Sequence, residues 1–257
     1  MRWLMTLDGA RVRGMHLAEN DSDIAVVMIH GFNASLTRPQ NIRVINGFRN
    51  EFAVVAVELR GHGHSPGRST LGGMEIMEVQ AGVDWARTLG YRKVVTIGFS
   101  MGAMAVVRHA GVLDGVDAVV SVSAPAFHGY RGTPPMRMLA FGVEHPVGRF
   151  VVQHVFGTRM MGPPWPDPYP LHPAEAAEHI PPTPFLVLHG FDDAFFPDEH
   201  PEAIVRGAAI GAELAGVPDN TELWRAHYGH AEVALPQAVM RSIGFWIRGA
   251  VSAGADG

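Results

Sequence analysis

Six short, mostly apolar runs recur along this chain, at residues 24–29, 52–57, 93–97, 118–122, 185–188 and 221–226. Most lack the polar–apolar alternation of a strand with one wet face, so they predict strands covered on both sides, as in a parallel sheet. Segments of helical period stand between them. Residues 74–89 put Ile76, Val79, Val83, Trp85 and Leu89 at roughly helical spacing. Residues 199–214 and 232–247 read similarly, with Pro201 and Pro236 expected in first turns. Strand and helix in alternation imply a doubly wound α/β sheet. A hairpin precedes it, formed by residues 3–7 and 12–17 around Asp8-Gly9-Ala10.

One stretch breaks the rhythm. Residues 125–182 hold 12 of the chain's 19 prolines, which restricts helices there to short pieces, expected at 137–144, 148–155 and 173–179. The strand pattern resumes at Pro184, so this stretch reads as an insertion into one core. The expected organisation is a core of residues 1–124 and 183–257 and a lid of residues 125–182.

Composition narrows the classes of function. A chain of 257 residues with 47% hydrophobic content can bury one large core. Its net charge of −5, with basic residues scattered, argues against nucleic acid or an anionic membrane as partner. The absence of cysteine removes disulfides, thiol nucleophiles and cysteine-based zinc sites, and suits a reducing cytosol. The first residues lack an apolar segment followed by a small-residue cleavage site, and no window approaches 18 uninterrupted apolar residues. A cytoplasmic protein without a membrane span is expected.

The third run leads into Gly98-Phe99-Ser100-Met101-Gly102, with a small-residue helix expected at 103–109. A serine on a sharp strand-to-helix turn has strained dihedrals, and side chains in place of the two glycines would collide with facing backbone. Such a turn lifts the hydroxyl clear of the sheet and aims the N–H groups of a helix start at it, where they favour developing negative charge. By itself the pattern also fits a tight turn that happens to contain a serine.

Upstream, the first run ends in His30-Gly31-Phe32-Asn33. With this segment the sequence resembles the α/β-hydrolase superfamily, in which an H-G-x segment closes the third strand. The resemblance implies an α/β-hydrolase fold, a mostly parallel central sheet flanked by helices with a small helical lid, and an oxyanion hole made by the backbone N–H groups of Phe32 and Met101. Glu58-Leu59-Arg60-Gly61-His62-Gly63-His64-Ser65 is similar to the family's D-x-R-G-x-G-x-S, with Glu58 where aspartate is usual, and reads as an Arg-anchored structural turn.

The resemblance also implies an acid after the run at 185–188 and a histidine after the last run. His189-Gly190-Phe191-Asp192-Asp193-Ala194-Phe195-Phe196-Pro197 is similar to the family's G-x-x-D followed four residues later by proline, which selects Asp193, with Asp192 the alternative. In His227-Tyr228-Gly229-His230-Ala231 the family's G-H pattern selects His230 over His227. Ser100, Asp193 and His230 then follow the family's chain order of nucleophile, acid and histidine.

What the resemblance implies is a serine esterase that cleaves carboxylic esters of small to medium apolar or aromatic acyl groups through an acyl-enzyme. Neither a metal nor an organic cofactor is needed, the partner is a small-molecule ester, and a homodimer is allowed. Thioesterases, monoacylglycerol-lipase-like enzymes and C–C bond hydrolases share the triad, and a ligand-binding protein without turnover stands further off. A serine nucleophile disfavours epoxide and haloalkane hydrolysis, which relatives perform with aspartate. The lid's aromatic and methionine side chains, Phe127, Tyr130, Met136, Trp165 and Tyr169 among them, suit an apolar acyl or aromatic group.

Overall fold

Valine, isoleucine and alanine dominate the strands of the computed structural model, which describes residues 1–162 and 170–253. Eight strands form one sheet: β1 (Arg2–Met5), β2 (Arg11–Leu17), β3 (Ile24–Ile29), β4 (Ala53–Glu58), β5 (Lys93–Phe99), β6 (Ala118–Val122), β7 (Phe185–Gly190) and β8 (Thr221–Ala226). Their order is β1-β2-β4-β3-β5-β6-β7-β8. The hairpin strands β1 and β2 run antiparallel, and every pair from β4 to β8 is parallel. The register sets Ile29 beside Gly98, Phe99 beside Val122 and Gly190 beside Ala226. The loops after β3, β5, β7 and β8 therefore emerge at one edge of the sheet, where parallel α/β sheets place their ligands.

Side chains of each central strand alternate between two cores. Ala25, Val27 and Ile29 join one and Val26 and Met28 the other. Helices α2 (Ile76–Thr88), α3 (Met101–Val112) and α7 (Glu199–Ala215) cover the first face. Helices α1 (Pro39–Phe48), α8 (Ala231–Ala234) and α9 (Gln237–Ala253) cover the second. Each fully buried valine or isoleucine contributes roughly 1.5–3 kcal/mol relative to exposure. Coverage on both faces explains why these strands lack alternation in the sequence.

Two helical expectations change. The helix expected at 232–247 is divided into α8 and α9 around Pro236. Leu235 is extended (φ −61°, ψ 118°), since proline's ring disfavours a helical residue before it. Helix α1 was not among the expected elements, although Pro39 at its first position and buried Val44, Ile45 and Phe48 on one face are a helical signature. Between β6 and β7 lie α4 (Pro134–Glu144), α5 (Pro146–Val151) continuing into a π-helical turn (Val152–Phe156), and α6 (Pro173–Ala177). Helix α6 is buried through Ala176 and Ala177, and Ala177 joins the first core. No helix among the described residues is long and apolar enough to cross a membrane.

The turn after β4 is built on buried charge. Arg60 Nε donates to Glu78 Oε1 at 2.5 Å and Arg60 Nη1 to Asp8 Oδ2 at 2.7 Å, which ties the hairpin turn to α2. Glu58 is 1% exposed and accepts the N–H groups of His64 (2.8 Å), Ser65 (3.2 Å) and Leu36 (3.3 Å). A carboxylate with three such donors is satisfied without a cation. Glu58 thus takes a structural place in this turn, at the position where aspartate is usual.

Candidate active site

The chain reverses between β5 and α3 within one residue. Ser100 sits there at φ 52°, ψ −114°, a conformation that side-chain-bearing residues adopt only when their surroundings hold them in it. The neighbours show how. A Cβ on Gly98 would lie 2.2 Å from the Gly102 carbonyl oxygen, and one on Gly102 would lie 2.4 Å from that of Ile29. Both flanking positions are closed to any residue but glycine, and the serine hydroxyl is left pointing over the sheet edge.

Loops from two other strands meet it. His230, in the loop after β8, places Nε2 2.8 Å from Ser100 Oγ and Nδ1 2.8 Å from Asp193 Oδ2. The Asp193 side chain is fully buried, and its Oδ1 accepts the N–H groups of Phe195 (2.9 Å) and Phe196 (3.2 Å). Burial acts to raise this carboxyl, but the hydrogen bond and charge of His230 and the Phe195 N–H outweigh it and hold Asp193 below the ordinary carboxylate range. An ionised Asp193 accepts from Nδ1–H, which leaves His230 Nε2 free to accept from the serine hydroxyl. The Phe195 ring stacks on the imidazole with centroids 4.4 Å apart, fixing its plane.

The alternatives lie elsewhere. Asp192 and His227 face each other at 3.8 Å on the surface, with side chains 66% and 84% exposed. The two N–H groups expected to hold an oxyanion, those of Phe32 and Met101, donate no hydrogen bond among the described residues. The N–H of Gly31 is taken by Glu232 Oε1 at 3.0 Å.

Two side chains at the site carried no signal in the sequence. Ser123 follows β6 at φ 53°, and its Oγ accepts the N–H of Ala231, itself at φ 47° beside His230. Glu232 is 3% exposed and lies two residues beyond His230. Each is recognisable only from the fold, because its partner is more than a hundred residues away in sequence.

Ser100 opens into a cavity of about 120 Å³. Its walls include Leu71, Met101 and Met104 from the core and Phe127, Met136 and Leu139 from the segment between β6 and β7. Of the apolar lid residues named in the sequence, Phe127, Tyr130 and Met136 line this cavity. Met138, Phe141, Phe150 and Phe156 are exposed on the outside, and Met160 is buried. Trp165 and Tyr169 lie outside the described residues. Among the described residues no three His, Asp or Glu side chains gather as a metal site.

A sequence model of the alpha/beta hydrolase fold family matches residues 24–160, and the chain belongs to that family. No curated protein sequence matches it. Solved structures similar to it include the esterase Pf2001 of Pyrococcus furiosus, 22% identical with a TM-score of 0.74 over 97% of this chain and 90% of that one. Est1E of Butyrivibrio proteoclasticus, solved with ferulic acid bound, is 16% identical with a TM-score of 0.68 over 98% and 100%. The esterase RhEst1 of Rhodococcus sp. ECU1013 is 18% identical with a TM-score of 0.63 over 96% and 98%. Identities this low speak for the fold, so the chemistry has to be argued from the site.

Proposed function

We propose that this protein is a serine hydrolase that cleaves carboxylic esters of small to medium apolar or aromatic acyl groups. The observation that carries the reading is the unbroken hydrogen-bonded line Ser100–His230–Asp193 at the mouth of an apolar cavity. His230 Nε2 takes the Ser100 proton as Oγ bonds to the ester carbonyl carbon. The carbonyl oxygen becomes an oxyanion held by the N–H groups of Phe32 and Met101, each worth about 3–4 kcal/mol to the transition state. Collapse breaks the ester C–O bond, and His230 returns its proton to the departing alcohol. Water, deprotonated by the same histidine, then attacks the acyl-enzyme and releases the carboxylic acid and Ser100. Asp193 keeps its charge throughout and stabilises the imidazolium.

Size supports the substrate class. A dry cavity of roughly 150 Å³ accommodates one benzene ring, so the 120 Å³ here suits a short acyl chain or a single ring. Residues 125–144, the first part of the lid, supply most of those walls. The esterases Pf2001 and RhEst1 among the structural neighbours, and Est1E with ferulic acid bound, agree with this class.

The test combines labelling with a chain-length series. Wild type is expected to react with a fluorophosphonate probe and to hydrolyse p-nitrophenyl acetate and butyrate well above the palmitate, while Ser100→Ala does neither. Failure of wild type to label or to turn over any ester from acetate to palmitate would overturn the reading.

A further inference from the structure

The hydrolase reading leaves one buried carboxylate at the site without a task. Glu232 follows His230 by two residues, is 3% exposed, and has no cation on its side-chain oxygens among the described residues. Its Oε1 instead accepts the N–H of Gly31, a residue 201 positions away in the loop that carries Phe32. Its backbone carbonyl is held by Arg43 Nη2 at 2.6 Å, and the same guanidinium holds the Leu235 carbonyl through Nη1, also at 2.6 Å. The start of α8 is therefore clamped at its main chain while the Glu232 side chain reaches across to the end of β3. The fit is close, since a Cβ on Gly31 would lie 2.9 Å from Oε1 and 3.2 Å from Oε2.

We infer that Glu232 is a positioning residue that joins the histidine loop to the oxyanion loop and so sets the distance between the base and the oxyanion donors. The inference rests on the esterase reading of Ser100, His230, Phe32 and Met101. By occupying the Gly31 N–H, Glu232 leaves the next N–H, that of Phe32, as the donor from this loop. The coupling runs His230–Ala231–Glu232 along the chain and Glu232–Gly31–Phe32 across the hydrogen bond, so neither loop shifts without the other. Burial raises the Glu232 carboxyl above its ordinary range. The acceptor oxygen is present in either protonation state, so the role depends on hydrogen-bond geometry more than on charge.

A pair of near-isosteric substitutions tests this. Glu232→Met keeps the volume and removes the acceptor, leaving the Gly31 N–H buried and unpaired. Glu232→Gln keeps an acceptor at the same place. On p-nitrophenyl butyrate, Glu232→Met is expected to lower kcat by roughly 10- to 100-fold with KM little changed, because a misplaced donor is felt in the transition state. Glu232→Gln is expected to restore most of that loss. Gly31→Ala pushes the carboxylate away from the other side, should give the same fall in kcat, and serves if Glu232→Met does not fold. Wild-type kcat in Glu232→Met, or an equal loss in Met and Gln variants, overturns the inference while the esterase reading stands. A wild type inert to esters and to fluorophosphonate overturns both.

Discussion

His230→Ala is expected to lower kcat by about 10⁴- to 10⁶-fold on any ester that wild type turns over, the range seen when a triad histidine is removed. His227→Ala is expected to leave turnover at the wild-type level. The contrast follows from geometry. Only His230 has one ring nitrogen 2.8 Å from Ser100 Oγ and the other 2.8 Å from a buried carboxylate. His227 points into solvent with exposed Asp192 as its nearest acid. Asp193→Asn tests the same line from its far end. The asparagine can present an N–H to Nδ1, which favours the tautomer with its proton on Nε2, unable to accept from serine, and an effect of about 10⁴ is expected. Steady-state kinetics on p-nitrophenyl butyrate reads both. If only His227→Ala abolishes turnover, the assignment of the base is wrong.

Acidification from pH 6.5 to 5 is expected to remove several kcal/mol of stability, a large part of the 5–15 kcal/mol of an ordinary domain. Five histidines are buried within 4% of full enclosure: His30, His62, His109, His189 and His200. Burial pushes His30 down to about 3 and His62, His109 and His200 down to about 4, from 6.5, and lowers His189 as well. Above pH 6.5 these groups are neutral in both states and cost nothing. Below it the unfolded chain takes up protons that the folded chain refuses, so stability falls until the folded pKa values are reached. Each such group contributes about 1.4 kcal/mol per pH unit.

Two carboxyls act in the opposite sense. Burial lifts Glu78 to about 7 against the pull of Arg60, and Glu232 is raised as well, so the folded state holds protons that the unfolded state has released. The lowered histidines outnumber the raised carboxyls, so stability falls on acidification, by about 1.4 kcal/mol per pH unit for each net proton. Urea unfolding at pH 7, 6 and 5 measures the slope, and His109→Gln should flatten it by about 1.4 kcal/mol per pH unit. Equal stability at pH 7 and 5 would refute the argument.

Strands were the most legible part of this fold, because burial on both faces requires unbroken runs of valine, isoleucine and alanine. Residues 24–29 and 118–122 match β3 and β6 in full, and 221–226 matches β8 although that strand lies at the sheet edge and is only half-buried. Helices were read less well. Asn41 and Gly47 within 39–48 dilute the pattern of α1, and Pro236 divides what periodicity alone presents as one helix. The residues brought together around Ser100 were readable because the elbow glycines and the G-H and G-x-x-D patterns are local in sequence. Buried carboxylates were not. Glu78 and Glu232 look like surface residues in any window, since what satisfies them is set by tertiary structure: a guanidinium 18 residues away for Glu78, a glycine N–H 201 away for Glu232. Exposure of Phe141 and Phe150 was hidden for the same reason, as an aromatic residue in a proline-rich segment carries no mark of which way it faces.

Strand β8 borders the sheet on one side only, and none of its residues is buried, whereas β4, β6 and β7 are buried throughout. The loop that follows β8 carries His230. An edge with one partner strand opens by local fluctuation at a lower free energy than the whole fold. Warming should therefore detach the imidazole while the interior strands keep their amide protons from exchanging. Catalysis would then fade reversibly at temperatures where circular dichroism still reports a native sheet.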